Sequence, residues 1–139
     1  MTLRQTPLNS RLKALNAIMV PYAGYEMSVR FTNIKEEHNA VRTNAGIFDV
    51  SHMSEFWFEG QDALKAVNNI ITNDLSKADN FDVQYNFMCT ETGGIVDDLM
   101  AYKFSDNKIM LVMNAACHDN DVKHIKNHLQ GNVIFTDKS

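Results

Sequence analysis

Cysteine is scarce in this sequence: Cys89 and Cys117 stand far apart and outside any C-x-x-C pattern. Two such residues cannot staple a secreted domain, so free thiols in a reducing cytoplasm are the expectation. Long apolar runs are missing too. The longest, Ile109-Met110-Leu111-Val112-Met113, has five residues, against the roughly 20 that a membrane-crossing helix needs. Met1-Thr2-Leu3-Arg4-Gln5 lacks the apolar segment and small-residue cleavage site of an export signal. A soluble, cytoplasmic protein with no membrane partner is expected. Positive charge is not in excess either, with 13 Lys and Arg scattered singly against 17 Asp and Glu and a net charge of −4. With no basic stripe to track a phosphate backbone, no nucleic-acid partner is expected.

Several motifs are also missing. There is no G-x-x-x-x-G-K followed by Ser or Thr, no G-x-G-x-x-G, no G-x-S-x-G and no H-E-x-x-H. Phosphate-loop, dinucleotide, hydrolase-elbow and zincin readings therefore lack their minimal residues. No internal repeat, low-complexity tract or Pro/Gly/Ser linker marks a boundary, so residues 1–139 are expected to form one domain.

What is present is an alternation of helical and extended patterns, with 45% hydrophobic residues to fill a core. Thr6-Pro7 followed by Leu8, Leu12 and Leu15 predicts a helix over about 6–17, with Thr6 as its N-cap. Extended pieces at 18–23 and 25–31 are split by Gly24. Asn33 and Glu36 suggest a capping box for a helix whose face carries Ile34, His38, Val41 and Ala45, with Gly46 at its C-cap. Ile47–Val50 and Ser54–Glu59 read as extended; in the second, Phe56 and Phe58 alternate with Glu55, Trp57 and Glu59. Leu64, Val67 and Ile71 predict another helix. Strands follow at 83–89, 95–104 and 108–113, joined by the turn compositions Thr92-Gly93-Gly94 and Ser105-Asp106-Asn107 into an antiparallel meander. Val122, Ile125 and Leu129 define a last helix stopped by Gly131, and Asn132–Thr136 a final strand. The class is α+β, with mainly antiparallel sheets and packed helices.

Asp97-Asp98 lies inside the otherwise apolar run Ile95-Val96-Asp97-Asp98-Leu99-Met100. A carboxylate there needs a partner or a job. Strand alternation sends Asp97 with Ile95 and Leu99, and Asp98 with Val96 and Met100, so the two are not expected to form one close dyad. Alternatively, one faces solvent and the other caps a turn or pairs with a lysine. His124 and His128 lie opposite Val122, Ile125 and Leu129, while His118 projects near that apolar face, so no metal site is expected from them. His52 sits at an irregular joint and reads as structural. Gly93-Gly94 reads as a tight hairpin needing positive φ, and the eight Met as core filler.

Three blocks near the start, Val20-Pro21-Tyr22-Ala23-Gly24-Tyr25-Glu26-Met27, Glu37-His38-Asn39-Ala40-Val41-Arg42 and Ala45-Gly46-Ile47-Phe48-Asp49-Val50-Ser51-His52-Met53, carry a resemblance. Thr72-Asn73-Asp74-Leu75, Gln84-Tyr85-Asn86-Phe87-Met88, Gly93-Gly94-Ile95-Val96-Asp97-Asp98-Leu99 and Val112-Met113-Asn114-Ala115-Ala116 continue it. In this order the blocks resemble the N-terminal folate-binding region of the glycine-cleavage T-protein (aminomethyltransferase) family. Ser54 stands where relatives commonly have glycine, and Met27-Ser28 where they have Met-Pro.

The resemblance implies transfer of a one-carbon unit from the aminomethyl-lipoyl arm of the H-protein to tetrahydrofolate, with the lipoylated H-protein as partner. It implies Asp97 as the catalytic carboxylate beside the folate nitrogens. Met53 and Tyr85 would line the pterin pocket, Asn114 would lie at or near it, and Tyr102 is a further candidate. Family enzymes are well over twice as long as this chain and draw folate contacts from the later part. A complementary chain or a homo-oligomer is therefore a further expected partner, and a half of a split enzyme or a non-catalytic folate-binding module are the competing readings. Related folds serve other one-carbon and maturation reactions; the Lys-Gly-Cys motif of the iron–sulfur branch is absent.

Overall fold

The computed structural model describes residues 2–139, which divide between His52 and Met53 into two compact units. The first unit is built on a three-stranded sheet in the order β1-β3-β2, formed by Arg4–Gln5 (β1), Ile18–Tyr22 (β2) and Tyr25–Arg30 (β3). Strands β2 and β3 are a hairpin in which Tyr22 faces Tyr25. Ala23 at φ 49° and Gly24 at φ 80° supply the two left-handed residues such a two-residue loop requires. The pairing of β1 with β3 is parallel and only two residues long, too short to leave a sequence pattern.

The helix expected over 6–17 is confined to Asn9–Ala14 (α1), with Leu8 at its N-cap. Thr6 does not cap it. Its hydroxyl instead donates to Asp49 Oδ2 at 2.7 Å, and Asn16, at φ 61°, takes the chain out of the helix. Asn9 is buried and its amide donates to the Glu26 carbonyl at 3.1 Å, which ties α1 to β3.

Ile34–Thr43 (α2) starts where expected, because the Asn33 side chain accepts from the Glu36 N–H at 2.9 Å. The reaching-back partner is Glu37, whose Oε1 accepts from the N–H groups of Phe31 and Thr32. None of α2 is buried. Its C-cap is Asn44, so Gly46 is not the cap; a Cβ there would meet Val41 Cγ2 at 2.6 Å, so close packing explains that glycine. Ile47–Val50 form no strand. Ile47, Phe48 and Val50 are exposed, and among the described residues no strand pairs with them.

The second unit is a five-stranded antiparallel sheet in the order β5-β6-β7-β4-β8. Its strands are Ser54–Glu59 (β4), Val83–Cys89 (β5), Ile95–Ser105 (β6), Lys108–Met113 (β7) and Ile134–Asp137 (β8). One face is the core: Phe56 and Phe58, Met88, Leu99 and Ala101, and Ile109, Leu111 and Met113 are all buried. Ala63–Asn68 (α3) and His118–His128 (α4) contribute Ala63, Val67 and Ile125 to the same core, and Leu75 of a short 3₁₀ turn closes it. Period-two alternation along β4, β6 and β7 therefore has its ordinary cause, one dry face and one half-wet face. On the wetter face Trp57 stacks on Phe104 with ring centres 5.3 Å apart, and the ammonium groups of Lys108 and Lys138 lie 4.8 and 5.0 Å from its ring.

The last strand begins at Ile134 instead of the expected Asn132. The Asn132 N–H donates to Asp62 Oδ2 and its carbonyl accepts from the Asp62 N–H, so its backbone groups are taken up outside the sheet. Gly131, at φ 90°, turns the chain into this clasp. Gly93 supplies the positive φ of the β5–β6 hairpin. No helix among the described residues is long and apolar enough to cross a membrane.

Candidate functional site

Within the second unit, the chemistry-bearing residues gather where β6 begins and β7 ends. Strand alternation does not run unbroken there. Met88 pairs with Asp97 but Cys89 pairs with Ile95, so Val96 is an extra residue, a β-bulge. The bulge separates Ile95 from the inward set: Ile95 is 68% exposed while Asp97 is 6% exposed and shares the dry face with Leu99. Asp97 is thus the inward carboxylate and Asp98 the half-buried one.

The expectation that alternation keeps the two carboxylates apart is corrected by Asn114. β7 pairs Met113 with Leu99, which brings the next residue to the Asp97-Asp98 end. Asn114 Nδ2 lies 2.9 Å from Asp97 Oδ1 and 2.8 Å from Asp98 Oδ1, and its backbone N–H donates to Asp97 Oδ2 at 3.2 Å. One amide therefore clamps both side chains. The Tyr85 hydroxyl donates to Asp98 Oδ2 at 2.8 Å, and this bond, with burial next, raises the tyrosine above its usual range. Half of Tyr85 stays exposed.

Two residues of this cluster escape motif reasoning. Cys117, immediately before α4, has its thiol pushed up by burial and then by the charge of Asp97. Asp121, one turn into α4, is fully buried. No donor among the described residues reaches either of its carboxylate oxygens. Burial and then Asp97 push it up to about 8. The signal for Asp121 was in the spacing, since it lies four residues before Ile125 and so on the helix face that enters the core.

Met53 precedes Ser54, whose register partner is Met113, so it stands at the Asn114 end of the sheet. Tyr102 does not join the cluster. It pairs with Val83 and Met110, five residues along β6 from Asp97, or about 17 Å at strand rise. Among the histidines, His118 lies against the Phe56 ring, within 3.0 Å of Ser54 Oγ and 3.3 Å of Asp137. The His124 and His128 rings are 4.3 Å apart on α4, and among the described residues no group of three or more His, Cys, Asp or Glu could hold a metal. In the first unit His52 packs edge-on against Tyr22 and Tyr25.

This antiparallel α+β fold is shared with proteins of known family. Residues 8–139 match the family model described as GCVT N-terminal domain. The aminomethyltransferase of Shouchella clausii (strain KSM-K16) is 47% identical over 137 residues, covering 99% of this chain and 37% of that protein. That of Leptospira biflexa serovar Patoc is 43% identical and is covered to 38%. The crystal structure of glycine cleavage system aminomethyltransferase T from Bartonella henselae superposes with a TM-score of 0.92 at 25% identity, over 98% of this chain and 38% of that one. The chain belongs to the aminomethyltransferase (glycine-cleavage T-protein) family, and it spans a little over a third of the length of these relatives.

Proposed function

We propose that the chain carries the folate-facing carboxylate of an aminomethyltransferase, which passes the one-carbon unit of an aminomethyl group on the lipoyl arm of the H-protein to tetrahydrofolate. Methylenetetrahydrofolate, ammonia and the reduced arm are the products. The observation that supports this most is the sheet-end cluster, in which Asp97 is held in one geometry by two N–H donors of Asn114 beside the half-exposed Tyr85. A fixed carboxylate of this kind suits orientation and proton handling.

The residues present fit a flat ring that is rich in N–H donors. Asp97 and Asp98 supply acceptors, and Tyr85 and Met53 supply polarisable apolar surface. Tetrahydrofolate brings the nucleophilic nitrogen. Asp97 orients that nitrogen and holds its proton, Asn114 fixes Asp97, and Asp98 holds Asn114 and Tyr85 in place. Tyr102 has the least support as a contact, being remote along β6. Because the chain spans 37% of its relatives, further contacts to the folate are assigned to sequence outside it, on the same or another polypeptide.

The test compares Asp97→Asn with Asp98→Asn. Methylenetetrahydrofolate formation would be followed with aminomethylated, lipoylated H-protein and tetrahydrofolate, the rest of a curated relative being added as a separate polypeptide. Asp97→Asn should lower the rate by ~10²–10⁴-fold and Asp98→Asn by clearly less, because Asp98 is partly solvated. Equal losses, or a loss that thermal melts trace to unfolding, would overturn the assignment.

A further inference from the structure

Asp121 belongs to the sheet-end cluster but has no role in the transfer chemistry above, and its burial is left uncompensated. It is a carboxyl group with no exposed surface, and no N–H or O–H donor among the described residues reaches its oxygens. The titratable groups that face it are Asp97 from β6 and the Cys117 thiol at the start of its own helix, and no cation among the described residues offsets it. Two carboxyl groups meeting in a dry place cannot both ionise. Which one keeps the proton follows from the donors. Asp97 receives two N–H groups from Asn114, whereas Asp121 receives none.

We propose that Asp121 is a positioning residue for Asp97: it stays a neutral carboxylic acid at physiological pH and donates its proton in a hydrogen bond to the Asp97 carboxylate from the core side. Asp97 then has N–H donors from Asn114 and an O–H donor from beneath. Its rotamer is fixed from two directions. The elevation of Asp121 to about 8 agrees with this arrangement. The functional half of the inference rests on Asp97 being the working carboxylate; the protonation half does not.

The two halves have separate tests. Carbon-13 spectra of the aspartate carboxyls of this chain, recorded from pH 5 to 9, should show one group titrating near 8, and Asp121→Asn should lack it. If every aspartate has finished titrating in the acidic range, or if the late titration survives in Asp121→Asn, the inference fails while the proposed function stands on the Asp97→Asn result. In the transfer assay, Asp121→Asn keeps a donor toward Asp97 and should retain the rate within a few-fold. The wild-type rate should decline as pH rises past about 8, and Asp121→Asn should lose that decline. Asp121→Leu matches the volume but has no donor, and kcat should fall about tenfold or more with little change in the KM for tetrahydrofolate. Leu and Asn variants of equal activity would overturn the positioning role. A fully active Asp97→Asn would overturn it together with the proposed function.

Discussion

Asn114 holds the site together with three N–H bonds, one from its backbone and two from its side-chain amide. Its removal should register in stability as well as in activity. Asn114→Ala leaves buried Asp97 with the backbone N–H as its one donor from residue 114, and hydrogen bonds to charged groups of this kind contribute roughly 1.5–3 kcal/mol. Urea denaturation should show a loss of about that size, and an unchanged midpoint would mean that water replaces the amide. At this scale the sequence was partly legible. Carboxylates within an apolar strand flagged the Asp97-Asp98 pair, and the family resemblance singled out Asp97 and pointed to Asn114. Neither could reveal that Val96 is a bulge, because alternation assumes an unbroken pleat. Asp121 was obscured for another reason: its neighbours Asp119, Asn120 and Lys123 make the start of α4 read as a solvated stretch unless the spacing to Ile125 is followed.

Elements with a strong period were legible almost to the residue. β4, β5 and β7 stand where expected, at Ser54–Glu59, Val83–Cys89 and Lys108–Met113, because each has one face in the core. Errors cluster where backbone groups find partners outside the ladder or helix, as at Asn132, or where a polar side chain serves a distant residue, as at Thr6. The glycines allow a test. Gly93 lies in a hairpin at φ 85°, and a Cβ there would have no neighbour within 4 Å, whereas at Gly60, φ 141°, a Cβ would sit 2.5 Å from the Asn132 carbonyl oxygen. Gly93→Ala carries only the left-handed backbone penalty, about 1–2 kcal/mol. Gly60→Ala must also displace backbone, so its melting temperature should fall further than that of Gly93→Ala. The reverse order would show that the Gly60–Asn132 contact yields easily.

For the whole molecule, stability should pass through a maximum with pH. Glu26, Glu37, Glu59 and Asp74 are held below the usual carboxylate range by hydrogen bonds from Lys13, Thr32, Lys108 and Ser76 respectively. Their contribution is present above the unfolded value and is lost as pH falls through the folded one. Asp121 runs the other way. Its folded value is raised to about 8, so its contribution is full below the unfolded value of about 4 and is lost as pH rises toward 8. Melting temperatures should therefore peak near pH 5 and decline toward 8, and Asp121→Asn should flatten that decline. A wild-type profile level from 5 to 8.5 would contradict the burial of an ionisable group at this position. The first unit leaves Ile34, Val41, Ile47, Phe48 and Val50 exposed, and apolar surface of this kind favours association. Sedimentation of the polypeptide 1–139 should show mass rising with concentration; a strict monomer would mean that water covers these side chains at tolerable cost. Either result can be watched by light. Trp57 is the sole tryptophan, bracketed by Phe104, Lys108 and Lys138 on the outer side of the β-sheet. Its emission is a native optical label for residues 53–139, sensitive to whatever settles on that side and free of any tryptophan background from the first 52 residues.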